Sequence, residues 1–77
     1  MAMATTEDEA GLGARLRALR EARGLSQERL AARAEVSTAT VRRTELGHYE
    51  PTLSSLRAIA RALGVSLSEL IEAEGSA

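Results

Sequence analysis

The chain has no cysteine, phenylalanine, tryptophan or lysine, and only one tyrosine, one proline, one histidine and one aspartate in 77 residues. Without cysteine there is no disulfide framework, no zinc–thiolate centre and no thiol nucleophile, which fits a reducing compartment. Tyr49 is the only aromatic, so a core must come from Leu, Ile, Val and Ala, side chains that suit short helices in close contact. A sheet needs β-branched and aromatic residues in alternation, and no segment has them. No apolar run approaches the ~20 residues that cross a bilayer. The start, MAMATTEDEA, lacks the basic and apolar regions of a secretory signal, so a cytoplasmic location and no membrane partner are expected. One histidine and one aspartate do not make a metal site. There is also no nucleophile–base pair and no phosphate-binding glycine loop, so no enzyme, no cofactor and no small-molecule ligand is expected. The length is that of one small domain.

The net charge of −1 conceals a segregation of sign. Residues 1–10 carry Glu7, Asp8 and Glu9 and no base; residues 11–43 carry eight arginines against Glu21, Glu28 and Glu35, a balance of +5. Residues 44–77 carry five acids against Arg57 and Arg61, a balance of −3. Local patches more than totals decide contact with polyanions. A merely solvated surface accounts for arginines in general but not for their concentration in one segment.

Punctuation divides the chain into five helices. Gly24, Gly47 and Gly64 each follow an apolar-periodic stretch, where a chain leaving a helix turns left-handed and a Cβ is costly. Ser26, Ser37, Thr52 and Ser66 each precede one, where a side-chain oxygen can cap free amides. Ser66 with Glu69 has the form of a capping box, as does Thr6 with Glu9, although Gly11 and Gly13 weaken the first turns there. The expected helices are 9–23, 27–34, 38–46, 53–63 and 67–73. Leu12, Leu16 and Leu19 line the first; Leu30, Ala31 and Ala34 the second. Leu53, Leu56, Ile59, Ala60 and Leu63 give the fourth an apolar stripe, and Leu67, Leu70 and Ile71 do so for the fifth. The domain is expected over 9–73, between flexible segments at 1–8 and 74–77.

Only Glu35, Val36 and Ser37 join the second and third helices. So short a connection forces a sharp crossing, the arrangement of a helix-turn-helix, whose second helix enters a DNA major groove. The span Leu25 to Leu70 contains Ser26-Gln27 opening the second helix, Ala31 at its crossing point and Val36-Ser37 in the turn. Thr40-Val41 follow in the third helix, then Glu45, Gly47, Pro51 and Leu53. In this combination the chain closely resembles the phage-repressor and Cro-like (xenobiotic-response-element type) family of bacterial transcription regulators. The resemblance runs from about Leu12 to Ile71. It implies an all-α fold, a compact five-helix repressor-like DNA-binding domain with its helix-turn-helix at about 27–46.

At about 100° per residue, Val41 at the centre of the buried face places Thr38, Thr44 and Glu45 beside it. Ala39 and Arg43 then point away, with Thr40 and Arg42 on either side. The expected base-reading set is Thr38, Ala39, Thr40, Arg42 and Arg43, against the alternative of a solvated helix face. Arginine can bind guanine O6 and N7 together, threonine can bond base or phosphate, and alanine can touch a thymine methyl. Arg42 suits phosphate as well as base. The resemblance implies a phosphate contact for Gln27, supported by the free amides of a helix start. His48 and Tyr49 are expected to meet phosphates from the following loop, or else to form an ordinary surface turn. The resemblance also implies a structural ion pair between Arg20 and Glu45, since a lone carboxylate near the buried side would be costly. Two residues depart from the family pattern: Glu35 stands where glycine is usual, and Thr44 where an aliphatic residue is usual.

The sequence therefore predicts a sequence-specific double-stranded DNA-binding regulator. It would act as a homodimer, presenting the 38–46 helix to a pseudo-palindromic operator. Leu67, Leu70 and Ile71 are the candidate dimer surface, unless they only close the monomer core. The competing reading, allowed because fold does not dictate function, is an antitoxin or adaptor whose main partner is another protein.

Overall fold

The computed structural model describes residues 11–71. They form five helices: α1 (Leu12–Ala22), α2 (Gln27–Ala34), α3 (Thr38–Leu46), α4 (Leu53–Leu63) and α5 (Leu67–Ile71), with no strand among the described residues. The expected cap at Thr6, the expected helix start at residue 9, the expected continuation of the fifth helix to 73 and the expected end segments 1–8 and 74–77 lie outside the described residues.

The helix boundaries follow from local chemistry. Ser26, Ser37 and Thr52 sit in extended backbone, and each side chain accepts from the amide three residues on. Ser66 Oγ likewise accepts from Glu69 N at 2.9 Å. Gly24, Gly47 and Gly64 all have positive φ, the conformation in which a helix ends and a Cβ is unwelcome. Arg23 at the end of α1 donates from Nε to the carbonyl of Leu63, so one helix end satisfies another.

Helix α2 packs on both α3 and α4, α1 packs on α3 and α5, and α4 packs on α5. Leu16, Leu30, Val41, Ile59 and Leu70 are completely buried where these helices meet, with Leu25, Ala31, Ala34, Ala60 and Leu63 around them. Burying one such large aliphatic contributes about 1.5–3 kcal/mol.

One expectation needs correction here, and two positions carry more than the sequence shows. Leu70 belongs to this core and is inaccessible, so it cannot form a dimer surface. The periodicity that puts it on one face with Leu67 and Ile71 does not say which neighbour covers it, and α1 and α4 both pack on α5. Leu53 is 53% exposed despite belonging to the α4 stripe; it occupies the first position of the helix, at the end of that stripe. Gly13 is more than a weak point: a Cβ built on it would lie 2.5 Å from the carbonyl oxygens of both Thr44 and Glu45. Helix α1 comes so close to the end of α3 that only hydrogen fits between them.

The turn between α2 and α3 contains the sole positive-φ residue other than glycine among those described: Glu35, at φ 60° and ψ 41°. A side chain in this conformation costs about 1–2 kcal/mol. Glu35→Gly is therefore expected to raise the unfolding free energy by about 1 kcal/mol, measured as a shifted urea midpoint at unchanged slope. A loss of stability would show that the Glu35 side chain makes a compensating contact.

Candidate nucleic-acid interface

Helix α3 is held from its inner side. Val41 is fully buried and Thr44 is 1% exposed. A buried hydroxyl needs a partner, and Thr44 Oγ1 donates to the Thr40 carbonyl one turn back at 2.6 Å. That bond satisfies the hydroxyl and lets the methyl pack where an aliphatic residue is usual.

Glu45 completes the anchor. Its side chain is 4% exposed and that of Arg20 is 10% exposed. Arg20 donates from Nε to Glu45 Oε2 at 2.6 Å and from Nη2 to Oε1 at 3.0 Å, a two-point match of guanidinium and carboxylate. Its Nη1 donates to the Leu25 carbonyl at 2.8 Å, tying in the turn that leads to α2. These hydrogen bonds to Glu45 outweigh desolvation and hold the Arg20 pKa above that of an ordinary guanidinium. A cation whose pKa is raised on folding stabilises the fold at every pH below its unfolded value. For an arginine, that covers the whole working range.

Gln27 joins the same carboxylate: its Nε2 donates to Glu45 Oε1 at 3.0 Å. A carboxylate only accepts, so the amide nitrogen must face it. One carboxylate on α3 thus receives hydrogen bonds from α1 and from the first residue of α2. Gln27 keeps a second N–H and its carbonyl for an external group. This bracing was not evident in the sequence, where Gln27 reads as a phosphate ligand or as a simple exposed first-turn glutamine.

The outer side of α3 is different. Arg42 and Arg43 are exposed, and no ion pair among the described residues engages either. Thr38, Ala39 and Thr40 are partly exposed at the start of the helix. The Thr40 hydroxyl lies 2.8 Å from that of Ser37, so the two form a small polar pair at the entering end. His48 and Tyr49 are exposed beyond Gly47, lining an open groove between the C-terminal end of α3 and residues Gly11–Ala14. Leu46 is 61% exposed beside them. The five expected reading residues therefore share one short helix, with His48 and Tyr49 at its far end and Gln27 at the start of α2. Of the expected dimer residues, Leu67 is half-buried and Ile71 is 39% exposed.

No group of three His, Asp or Glu among the described residues could hold a metal ion. No described helix is long and apolar enough to cross a membrane.

Known proteins are similar to this chain in sequence and fold. The model of the helix-turn-helix family HTH_3 matches residues 16–70. An immunity repressor protein of Bacillus phage phi105 is 38% identical over 63 residues, covering 82% of this chain and 44% of the repressor; the chain thus spans less than half the length of that relative. Among solved structures, the restriction-modification controller protein C.AhdI from Aeromonas hydrophila has 38% identity and a TM-score of 0.76, covering 78% of this chain and 91% of the other. The clp gene regulator ClgR from Corynebacterium glutamicum has 37% identity and a TM-score of 0.78, covering 90% and 73% respectively. The family match covers the anchor, the turn and the outward arginines alike, and the chain belongs to the helix-turn-helix family of phage-repressor and Cro-like transcription regulators.

Proposed function

We propose that this regulator binds double-stranded DNA sequence-specifically as a homodimer, with α3 of each copy in the major groove of a pseudo-palindromic operator. The carrying observation is the division of α3: Val41, Thr44 and Glu45 are anchored inward while Arg42 and Arg43 stand exposed and unpaired by any described acid. A helix fixed on one side and cationic on the other suits a groove flanked by phosphates. Arg43 reads a base edge, and Arg42 reads a base or holds a phosphate. Thr38, Ala39 and Thr40 meet bases at the entering end. Gln27, with its remaining N–H, joins His48 and Tyr49 in bonding the backbone, which fixes register without reading sequence. The immunity-repressor relative supports repression as the outcome of binding.

Two-fold symmetry would set two copies of α3 about 34 Å apart along the duplex. The apolar surface left on α5 by Leu67 and Ile71 supports a contact between copies there. A second reading rests on the exposure of Leu46 and Leu53, apolar surface that a partner protein could cover. In that case, the chain would co-purify with a stoichiometric second protein and bind DNA weakly.

Arg43→Ala is expected to weaken operator binding by about 1–3 kcal/mol and to relax preference at one base position. Gln27→Ala should weaken binding to all sequences alike. Titrations at several salt concentrations check both: affinity should fall with a log–log slope of about 0.9 per phosphate neutralised. If Arg43→Ala changed neither affinity nor preference, the reading face would lie elsewhere.

A further inference from the structure

Glu35 is expensive twice over. It holds left-handed backbone in which glycine is free of strain. It also places a carboxylate at the C-terminal end of α2, where the helix dipole already makes the potential negative. Its side chain is exposed, and no ion pair among the described residues engages it. It is one of only three acids in the +5 segment 11–43. Two residues further on, Ser37 caps the end of α3 that leads into the proposed reading face. A residue kept in a strained conformation on a functional surface points to a role in that function.

We propose that Glu35 is an electrostatic restraint on DNA affinity. This inference rests on the reading of α3 as the DNA-contacting helix. The carboxylate lies in the turn between the two helices that approach the duplex, within reach of the phosphate field at low salt. It opposes the arginines there and lowers the sequence-independent attraction. Binding without base contacts is almost wholly electrostatic, so this restraint keeps random DNA from holding the protein. Stable occupancy then depends on what α3 reads. A genome offers a vast excess of competing non-specific sites, and limiting that attraction leaves more free protein for the operator.

The test compares the parent chain with Glu35→Gln, Glu35→Gly and Arg43→Ala on a random-sequence duplex and on a duplex obtained by selection. Glu35→Gln removes the charge but keeps the side-chain size and the left-handed backbone. It is expected to bind the random duplex about three- to tenfold more tightly at about 50 mM salt, the gain shrinking below about twofold at about 300 mM. Glu35→Gly should show the same gain together with a higher urea midpoint. If Glu35→Gln bound no more tightly, or its gain did not depend on salt, the restraint would be refuted. If Glu35→Gly gained stability without affinity, the cost of Glu35 would be purely one of backbone, and the proposal would again fall. The Arg43→Ala arm separates the two layers. Loss of affinity there with no change in Glu35→Gln removes only this inference; no loss there removes the reading of α3 itself.

Discussion

Glu45→Ala is expected to lower the unfolding free energy by about 3–5 kcal/mol, the cost of removing one partner of a buried pair. Three hydrogen bonds end on this carboxylate, two from Arg20 and one from Gln27. Truncation strands the guanidinium of Arg20, a side chain only 10% exposed, with the Leu25 carbonyl and the Glu21 carboxylate at 4.0 Å as its remaining partners. A small domain has about 5–10 kcal/mol in total, so the variant should be substantially unfolded at moderate temperature. The cost belongs to the stranded charge more than to the pair itself. Arg20→Met combined with Glu45→Leu should therefore recover much of the loss, since apolar residues of similar volume often replace a buried pair at little cost. Urea unfolding of the parent, Arg20→Met, Glu45→Leu and the double variant measures this. A coupling below about 0.5 kcal/mol would mean that the two side chains act independently.

Gly13→Ala is expected to cost about 3 kcal/mol, despite alanine being the better helix former by about 1 kcal/mol. The added methyl would lie 2.5 Å from two carbonyl oxygens, Thr44 O and Glu45 O. Backbone atoms cannot swing aside as a flexible side chain can, so α1 and α3 must separate. The damage would reach function as well: α3 is positioned from α1 by the Arg20–Glu45 pair, and the same displacement stretches it. We expect a lower thermal midpoint together with weaker operator binding. If Gly13→Ala proved as stable as the parent, the helices would not be packed this closely.

The two positions differ in how legible they were. Glu45 could be suspected from its angle on a helical wheel, and Arg20 could be named as its partner from the family pattern, because both signals are carried by spacing. Gly13 carries no such signal. On its own helix it reads as a weak residue, and its reason is the backbone of another helix. Gln27 is similar: opening a helix, it reads as an anion ligand, yet its amide is turned toward Glu45 across the α2–α3 crossing. Capping residues and terminal glycines were legible because their partners lie three or four residues away. Leu53 and Leu70 show the limit of periodicity. Both fall on apolar stripes, but one is mostly exposed and the other fully buried, because coverage depends on where neighbouring helices end. Thr44 departs from the family pattern, but the return of a threonine hydroxyl to a carbonyl one turn earlier is a local device readable in sequence, and it is the bond the fold contains, to the Thr40 carbonyl.

The outward face of α3 is the least determined by the fold. Nothing in the packing requires arginine at positions 42 and 43, and both stand free of described acids. The proposed DNA contact would account for them, and the segregation of charge into residues 11–43 puts the positive balance on the same part of the chain.

Selection of bound sites from a pool of random duplexes tests this account most directly. It predicts enrichment of two inverted half-sites centred about 10–10.5 base pairs apart, with a guanine preference in each half that Arg43→Ala relaxes. Recovery of duplexes with no common sequence, or of a motif indifferent to Arg43, would contradict it.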